Sequence, residues 1–179
     1  MSESQAPYVP GRSCANCTMC CKLLGIVELA KPHQAACPNC DAGKGCRIYV
    51  DRPASCRNFV CAYLLTPYVA EHWKPATSKM VLEVDVETQR ISVHVDAARK
   101  EAWRREPYYS DIKRWATTND IQGGWIVVYQ GLDAVVVSAN RDQNIGPVGP
   151  GQMISVYETF DADGAKFNAA VVNKADVTL

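Results

Sequence analysis

The chain lacks several features that would assign it to a common class of protein. Lys and Arg together number 19, as do Asp and Glu, so no excess of one charge indicates nucleic acid or a membrane surface as a partner. No apolar run approaches the roughly 18 residues that a membrane helix requires. The start, MSESQAPYVPGRS, is polar and has no apolar core of a signal peptide. We therefore expect a cytoplasmic protein with no membrane partner.

Cysteine is absent beyond Cys61, although the chain has nine cysteines. They are Cys14, Cys17, Cys20, Cys21, Cys37, Cys40, Cys46, Cys56 and Cys61. A reducing cytosol keeps thiols reduced, and an odd count leaves one thiol over, so disulfides are not expected to be their main role. This density of thiols predicts a cysteine module over residues 14–61.

Acidic residues are scarce in the same part of the chain. Between Arg12 and Cys61, seven Lys and Arg residues accompany only three Asp and Glu residues. Metal-bound thiolates form an anionic centre that nearby cations stabilise. The charge pattern therefore favours metal thiolates, although a plain basic surface would give the same count.

The cysteine spacings are typical of metal ligands. A C-x-x-C loop lets two sulfurs converge on one ion at metal–sulfur distances of about 2.3 Å. A C-x-x-C-x-x-C run can supply three ligands to an iron–sulfur cluster. Successive side chains usually diverge, so only one of Cys20 and Cys21 is expected at a given site, unless the two sulfurs bridge two metals. We predict the nine cysteines as the candidate ligands of an iron–sulfur cluster or Zn²⁺, and slightly favour iron–sulfur.

These residues resemble the YkgJ-type cysteine-cluster family, a zinc- or iron-chelating domain. The family pattern C-x-x-C-x-x-C-C matches residues 14–21, its Cys-Pro matches Cys37-Pro38, and its C-x-I-Y-x-x-R-P-x-x-C-R block matches residues 46–57. The similarity covers about residues 12–61. Thr18-Met19 replaces the glycine that is common before the third cysteine, and Cys40 and Cys61 are additional to the pattern.

The resemblance implies a metal site rather than a reaction. The family is related to a domain of flagellin lysine methylases, but no cofactor-binding fingerprint for methyl transfer is present, so that activity is not carried over. Whether the protein is an enzyme stays open.

Near the last cysteines, Pro53 stiffens the turn that presents Cys56. Arg52 and Arg57 can donate hydrogen bonds toward sulfur or form surface ion pairs, and Tyr49 is expected to pack.

The whole pattern predicts an α+β fold. Residues 1–13 form a flexible arm, residues 14–75 the cysteine-cluster metal-binding module and its connector, and residues 76–179 an antiparallel domain of about six strands with one or two short helices. In the connector, residues 61–75 form a short helix or link that ends near Pro75.

Alternating apolar residues define the strands of the second domain. Three hairpins are expected, over residues 80–95, over 125–139 around Gln130-Gly131, and over 152–172 turning at Asp163-Gly164; residues 140–151 form a loop. Helical stretches follow Asp96 and Ser110 as N-caps. No parallel βαβ pattern is evident, which argues against a thioredoxin-like redox motif.

Other candidate sites have simpler explanations. The three histidines are too scattered for a catalytic triad; His33 is a minor candidate ligand, and His94 is expected on a solvated strand face. A basic stretch interleaves Trp103 and Trp115 with cations and acids between residues 99 and 114. We expect the tryptophans to pack on the sheet, and do not expect nucleic acid as a partner.

Three functions are consistent with these features. The first is a metal-binding protein with an accessory or electron-handling role. The second is a zinc-stabilised interaction module that binds a protein or nucleic-acid partner. The third is a redox enzyme that uses the cluster.

Overall fold

The computed structural model describes residues 8–14, 16–121, 124–161 and 164–177. The α-helices are α1 (Met19–Leu23), α2 (Ala54–Asn58), α3 (Ala62–Leu65), α4 (Pro75–Ser78) and α5 (Tyr108–Ile121). Single 3-10 turns occupy Val27–Leu29, Glu71–Trp73, Ala97–Arg99, Ala102–Arg104 and Lys174–Asp176. The strands are β1 (Cys40–Asp41), β2 (Gly45–Cys46), β3 (Met80–Asp85), β4 (Arg90–Val95), β5 (Trp125–Gln130), β6 (Asp133–Val137), β7 (Asp142–Pro147), β8 (Gln152–Asp161) and β9 (Gly164–Asn173).

The described strands form a five-stranded mixed sheet and two separate two-stranded ribbons. The large sheet has the order β3-β4-β5-β6-β7, and β4 and β5 run parallel while its other pairs are antiparallel. The ribbons are β1–β2 and β8–β9. The α+β class is confirmed, but the single antiparallel sheet of about six strands is wrong.

The parallel pair arises from a β4–α5–β5 crossover, which the sequence analysis missed. A parallel pair needs a long connection, and α5 supplies it while packing on β5 and β6. Ile112 and Ala116 of α5 are buried in the same core as Val93 and Ile126. None of the nine cysteines lies in this βαβ unit, so it provides no thioredoxin-like redox motif.

The three predicted hairpins are present, and one predicted loop is a strand. β3–β4 and β5–β6 pair in antiparallel register, with Gly131 at φ +81° in the turn of the second hairpin. β8 and β9 pair over ten residues each, although Asp163 of the predicted turn lies outside the described residues. Within the predicted loop, residues 142–147 form β7 and pair with β6 across a register shift at Ala134/Val135. The sequence predicted a loop here because Gly146, at φ +75°, and Pro147 are both unusual in strands.

The helix boundaries also differ in part from the sequence analysis. Asp96 is an N-cap as predicted, because its carboxylate accepts a hydrogen bond from the Ala98 N–H, but two 3-10 turns follow instead of one helix. Ser110 lies inside α5, which begins at Tyr108. Pro75 does not end the connector helix; it begins α4, where its missing N–H costs nothing.

The large sheet is covered on both faces. One face packs on α3, α5 and the 3-10 turns, and its core includes the fully buried Trp73 and Trp103. The other face is covered in part by the β8–β9 ribbon, through Ile154 and Ala169. The cysteine module covers a further part, since Met19 and Leu23 of α1 pack on Val81 of β3. We refer to the described residues from 76 onward as the sheet body.

No helix among the described residues is long and apolar enough to cross a membrane.

Candidate metal centre

Short elements joined by tight turns position the cysteines. Cys20 and Cys21 lie on α1, Cys40 and Cys46 are register partners in the β1–β2 ribbon, Cys56 lies on α2, and Cys61 precedes α3 as its N-cap. Each element has only two to five residues. Isolated helices and ribbons of this length are not stable in water, so contacts between the segments must hold them.

The C-x-x-C segments at residues 14–17 and 37–40 adopt the same kind of turn. The Cys17 N–H donates to the Cys14 carbonyl at 2.7 Å, and the Cys40 N–H donates to the Cys37 carbonyl at 3.1 Å. The second turn is joined to α1 because the Cys37 N–H donates to the Cys21 carbonyl at 3.0 Å. These bonds bring cysteines that are distant in sequence to the same place.

Eight of the nine cysteines line one cavity of about 450 Å³. They are Cys14, Cys17, Cys20, Cys21, Cys37, Cys46, Cys56 and Cys61. The ninth, Cys40, lies beside them and shares a hydrogen bond between its thiol and that of Cys21. All nine thiols are free of disulfides. The fold therefore gathers every cysteine of the chain around one space.

The adjacent pair Cys20 and Cys21 does not diverge as expected. The two thiols hydrogen-bond each other, and that bond is the main reason that the pKa of Cys21 is raised. Both side chains also line the cavity. Both thiols therefore face the same space.

The thiols surround the cavity without meeting at one point. Among the described residues, no three His, Cys, Asp or Glu side chains lie close enough together to hold a metal ion. The donor chemistry nevertheless fits a thiophilic metal, since thiolates select Zn, Cu(I) and iron–sulfur clusters. A single tetrahedral zinc ion would require four sulfurs to move within about 2.3 Å of one point. A metal here thus requires either that movement or a centre that extends across the cavity.

Burial disfavours the ionisation of several of these thiols. It is the main reason that the pKa of Cys40 and that of Cys61 are each raised to about 11. It likewise raises the pKa of Cys14 and of Cys56, and neighbouring thiols add to each effect. These groups hold their protons at neutral pH unless a cation replaces them, so metal uptake would release protons.

Lys31 and Arg52 both lie close to the cysteines. Lys31 is buried, and its Nζ donates to the carbonyls of Leu24 and Pro32. Burial lowers the pKa of Lys31, while Cys37 and Cys21 raise it. Arg52 lines the cavity and lowers the pKa of Cys14 against the effect of burial. Positive charge at these positions would offset thiolates formed around the cavity.

Glu28 fixes the position of α2. Its carboxylate accepts hydrogen bonds from the Ser55 backbone N–H at 3.0 Å and from the Ser55 Oγ at 2.6 Å, and these bonds lower the pKa of Glu28. Pro53 occupies the N-cap position, and its carbonyl accepts from the Cys56 N–H at 3.0 Å. Glu28 therefore holds the one helical turn that presents Cys56.

The cysteine module is attached to the sheet body by polar contacts as well as by Leu23. Lys22 Nζ lies 2.5 Å from Asp96 Oδ2 at the end of β4. Gln34 donates to the Val95 carbonyl at 3.0 Å and accepts from the Ala97 N–H at 3.1 Å.

The start of the described chain is also attached. Residues 1–7 of the predicted arm lie outside the described residues. From residue 8 onward, the Val9 N–H donates to the Leu64 carbonyl at 2.8 Å. The Arg12 guanidinium donates to the carbonyls of Tyr63, Thr66 and Val69. Both residues thus contact α3 and the connector after it.

Sequence reasoning missed Glu28 and Lys31. Both roles depend on contacts across the fold, which spacing does not reveal. One available signal for Glu28 was its rarity, since it is the only Glu between residues 14 and 61.

The predicted support from Arg57 is indirect, because its side chain donates to the Arg52 carbonyl at 2.7 Å. Tyr49 is 63% exposed and lies under the Arg52 guanidinium rather than packing in a core.

The histidines do not join the cysteines. The His33 ring stacks on the His94 ring, with centroids 6.3 Å apart, and neither lines the cavity. The prediction that His94 faces solvent is wrong: it is 6% exposed and its Nε2 lies 3.1 Å from Glu83 Oε2. His94 is buried because the cysteine module brings His33 over that face of the sheet.

The basic stretch between residues 99 and 114 is a packed helical surface, as predicted. Trp103 is fully buried and Trp115 packs against the main core. Arg104 and Lys113 both pair with Asp142, and Arg114 pairs with Asp111. These pairs leave less unpaired positive charge than the sequence suggests.

No protein-family model, curated protein or solved structure matches this chain.

Proposed function

We propose that the chain binds a thiolate-ligated metal centre in the cysteine-lined cavity and serves as an accessory or electron-handling protein. The observation that supports this most is the convergence of eight cysteines, drawn from separate short elements, on one cavity. Packing alone does not explain this arrangement. A reduced cysteine packs as a small apolar residue, so packing would not require cysteine at eight of these positions.

The size of the cavity favours a centre of several metal atoms over one ion. A mononuclear zinc site needs four sulfurs in direct contact with the metal. Here eight sulfurs are spread around about 450 Å³. An iron–sulfur cluster adds inorganic sulfide to the iron and therefore spans more space between its cysteine ligands. We accordingly favour iron–sulfur over zinc.

The resemblance to the YkgJ-type family supports the same proposal. The residues that carry it, from Cys14 to Arg57, include seven of the cavity cysteines. Lys31 and Arg52 supply positive charge beside the thiols, as an anionic centre requires. The nature of the metal decides between electron handling and a purely structural role.

The test is anaerobic purification followed by an absorbance spectrum and elemental analysis for iron, zinc and acid-labile sulfide. We expect iron and sulfide in cluster ratio and a broad charge-transfer band in the visible range. Zinc alone, at one or two equivalents, would instead support the interaction module with a structural metal. Protein that carries no metal when purified without chelators, and takes up none on anaerobic reconstitution, would refute the proposal.

Single cysteine variants test the ligand set. Cys17→Ser and Cys56→Ser each remove a thiol that lines the cavity, so we expect both to lose most of the metal. Cys40→Ser is the matched control, since Cys40 is the one cysteine that does not line the cavity. Full metal content in both cavity variants would contradict the ligand assignment, and equal loss in all three would show that the cavity lining does not identify the ligands.

A further inference from the structure

The cysteine-lined cavity is also lined by side chains other than thiols. Besides the thiols, it is lined by apolar side chains, by aromatic rings and by cations. The apolar members include Leu24, Ile26, Leu29, Ile48, Phe59 and Val60. A volume of about 450 Å³ lies within the range of about 300–1,000 Å³ that is common for small-molecule sites. The cavity is therefore large enough for a ligand beside the thiols.

Arg52 is the unusual group in this lining. Among the described residues, two arginine Nε atoms are buried without a hydrogen-bond partner, those of Arg52 and Arg90. Arg90 lies outside the cavity and pairs with Asp85, whereas Arg52 lines the cavity and pairs with no carboxylate in the described part of the chain. A buried donor without an acceptor costs free energy, and an oxygen of a ligand in the cavity would satisfy it.

The Arg52 side chain is held ready for such a partner. Its guanidinium carbon lies 4.0 Å from the centroid of the Tyr49 ring, which orients the guanidinium plane. The Arg57 side chain donates to the Arg52 carbonyl at 2.7 Å and steadies the backbone at this point. An arginine fixed in this way presents paired N–H donors that match the two oxygens of a carboxylate or phosphate.

The charge around the cavity favours an anion. Within the described part of the chain, Asp41 is the only carboxylate that lines the cavity, and it is paired with Arg47 at 3.1 Å. Lys44 also lines the cavity and, like Arg52, forms no ion pair with a described carboxylate. While the thiols are protonated, Arg52 and Lys44 therefore have no anionic partner among the described residues of the cavity.

We propose that the cavity binds a small organic anion, whose carboxylate or phosphate is held by Arg52 and whose apolar part lies against the aliphatic and aromatic lining. This site shares the cavity with the proposed metal centre, but the inference does not rest on the metal. The apolar lining distinguishes the expected ligand from a simple inorganic ion. If the metal is present, the anion binds beside it.

Calorimetry on the full chain as purified tests the proposal with three probes. Benzoate and phenyl phosphate share an aromatic body and differ in the oxyanion, and acetate has the carboxylate without that body. We expect benzoate or phenyl phosphate to bind, with the tighter of the two identifying the oxyanion, and acetate to bind more weakly than that tighter probe. If none of the three probes binds, or if acetate binds as tightly as the tighter aromatic probe, the proposal is wrong.

Variants then assign the binding to Arg52. Loss of a charge-assisted hydrogen-bond pair should weaken binding by about 10- to 100-fold in Arg52→Gln, with Arg52→Lys intermediate because it keeps the charge without the planar fork. Arg105→Gln is the control, since Arg105 is an exposed arginine in the sheet body. Unchanged binding in Arg52→Gln would overturn the proposal.

Metal analysis of the same samples separates this inference from the proposed function. Loss of metal in Arg52→Gln, with no anion binding in the wild-type chain, would show that Arg52 serves the thiolates and would refute the inference. Anion binding that depends on Arg52 in protein without metal would support the inference and refute the metal centre.

Discussion

The cysteine module and the sheet body are stabilised by different kinds of contact. The central strands of the sheet body are almost fully buried, with Val93, Val95, Ile126 and Val128 all 0% exposed. Among the described residues of the cysteine module only Leu23 reaches 0% exposure, and the elements there are single turns joined by side-chain hydrogen bonds such as those of Glu28. The comparison indicates that apolar burial determines the first region, whereas polar contacts contribute more to the second, which the proposed metal centre would stabilise further.

The largest expected effect comes from removing a large side chain of the connector that is buried in the core beneath the sheet. Trp73 is 0% exposed and its Nε1 donates to Asp111 Oδ2 at 2.8 Å. Trp73→Ala should lower the free energy of unfolding by about 3–5 kcal/mol. Urea denaturation followed by circular dichroism measures this change. Tyr68→Ala, at an 88% exposed residue, is the control and should remain within about 0.5 kcal/mol of wild type.

A second substitution breaks the contact between the two regions. Leu23→Ala removes the side chain that α1 packs on Val81, and should cost about 2–5 kcal/mol. Hydrogen exchange should increase across residues 16–61 while β5 and β6 keep their protection. Val27→Ala, at a 91% exposed residue of the same module, is the matched control. Equal loss of protection in both regions would show that they unfold as one unit.

Asp96 tests the polar part of the same junction. It caps the turn after β4 and pairs with Lys22, so Asp96→Ala should cost about 1–2 kcal/mol, and Asp96→Asn should recover the share due to the cap. Burial raises the pKa of Asp96, but the bonds from Lys22 and Ala98 outweigh it and the net shift is downward. The stabilisation is therefore present above about pH 4 and is lost as the pH falls below that value.

Thermal unfolding of wild type and both Asp96 variants between neutral and acidic pH measures this contribution. The difference in stability between wild type and Asp96→Ala should shrink as the pH is lowered. A difference that is independent of pH would show that the Lys22–Asp96 pair contributes nothing beyond the cap.

The smallest effect is expected from His33. Partial burial lowers the pKa of His33, and His94 lowers it further, so the unfolded chain binds a proton there before the folded chain does. Stability should therefore be greatest above about pH 6.5 and fall slightly as the pH drops below it. Since His33 is well exposed, we expect a change of only a few tenths of a kcal/mol. His33→Gln should remove that slope, and an unchanged slope would assign it to another group.

The sequence predicted those parts of the sheet body in which a single local pattern determines the structure. Alternation with period two identified the β3–β4, β5–β6 and β8–β9 hairpins, because side chains on successive strand positions face opposite ways. The β4–α5–β5 crossover was missed because the alternating pattern identifies a strand but does not indicate which strand pairs with it or in which direction. The strand β7 was missed because Gly146 and Pro147 are typical of loops.

The candidate site was predictable in part for the same reason. The spacing of the cysteines indicated that they act together, and eight of them line one cavity. It could not indicate that Lys31 is buried beside them, that Glu28 holds α2, or that His94 lies under His33. Those facts depend on how the cysteine module packs on the sheet, and no local periodicity encodes that contact.

Helix α1 belongs to both regions, and this has a thermodynamic consequence. Its five residues include Cys20 and Cys21, which line the cavity, and Lys22 and Leu23, which contact the sheet body. A single helical turn moves as one piece, so its two sets of contacts cannot change independently. A ligand that favours one position of the sulfurs therefore biases the junction at Asp96 and Val81, and by reciprocity a change at that junction alters affinity in the cavity. One turn of helix thus joins the cysteine-lined cavity directly to the end of a β-strand.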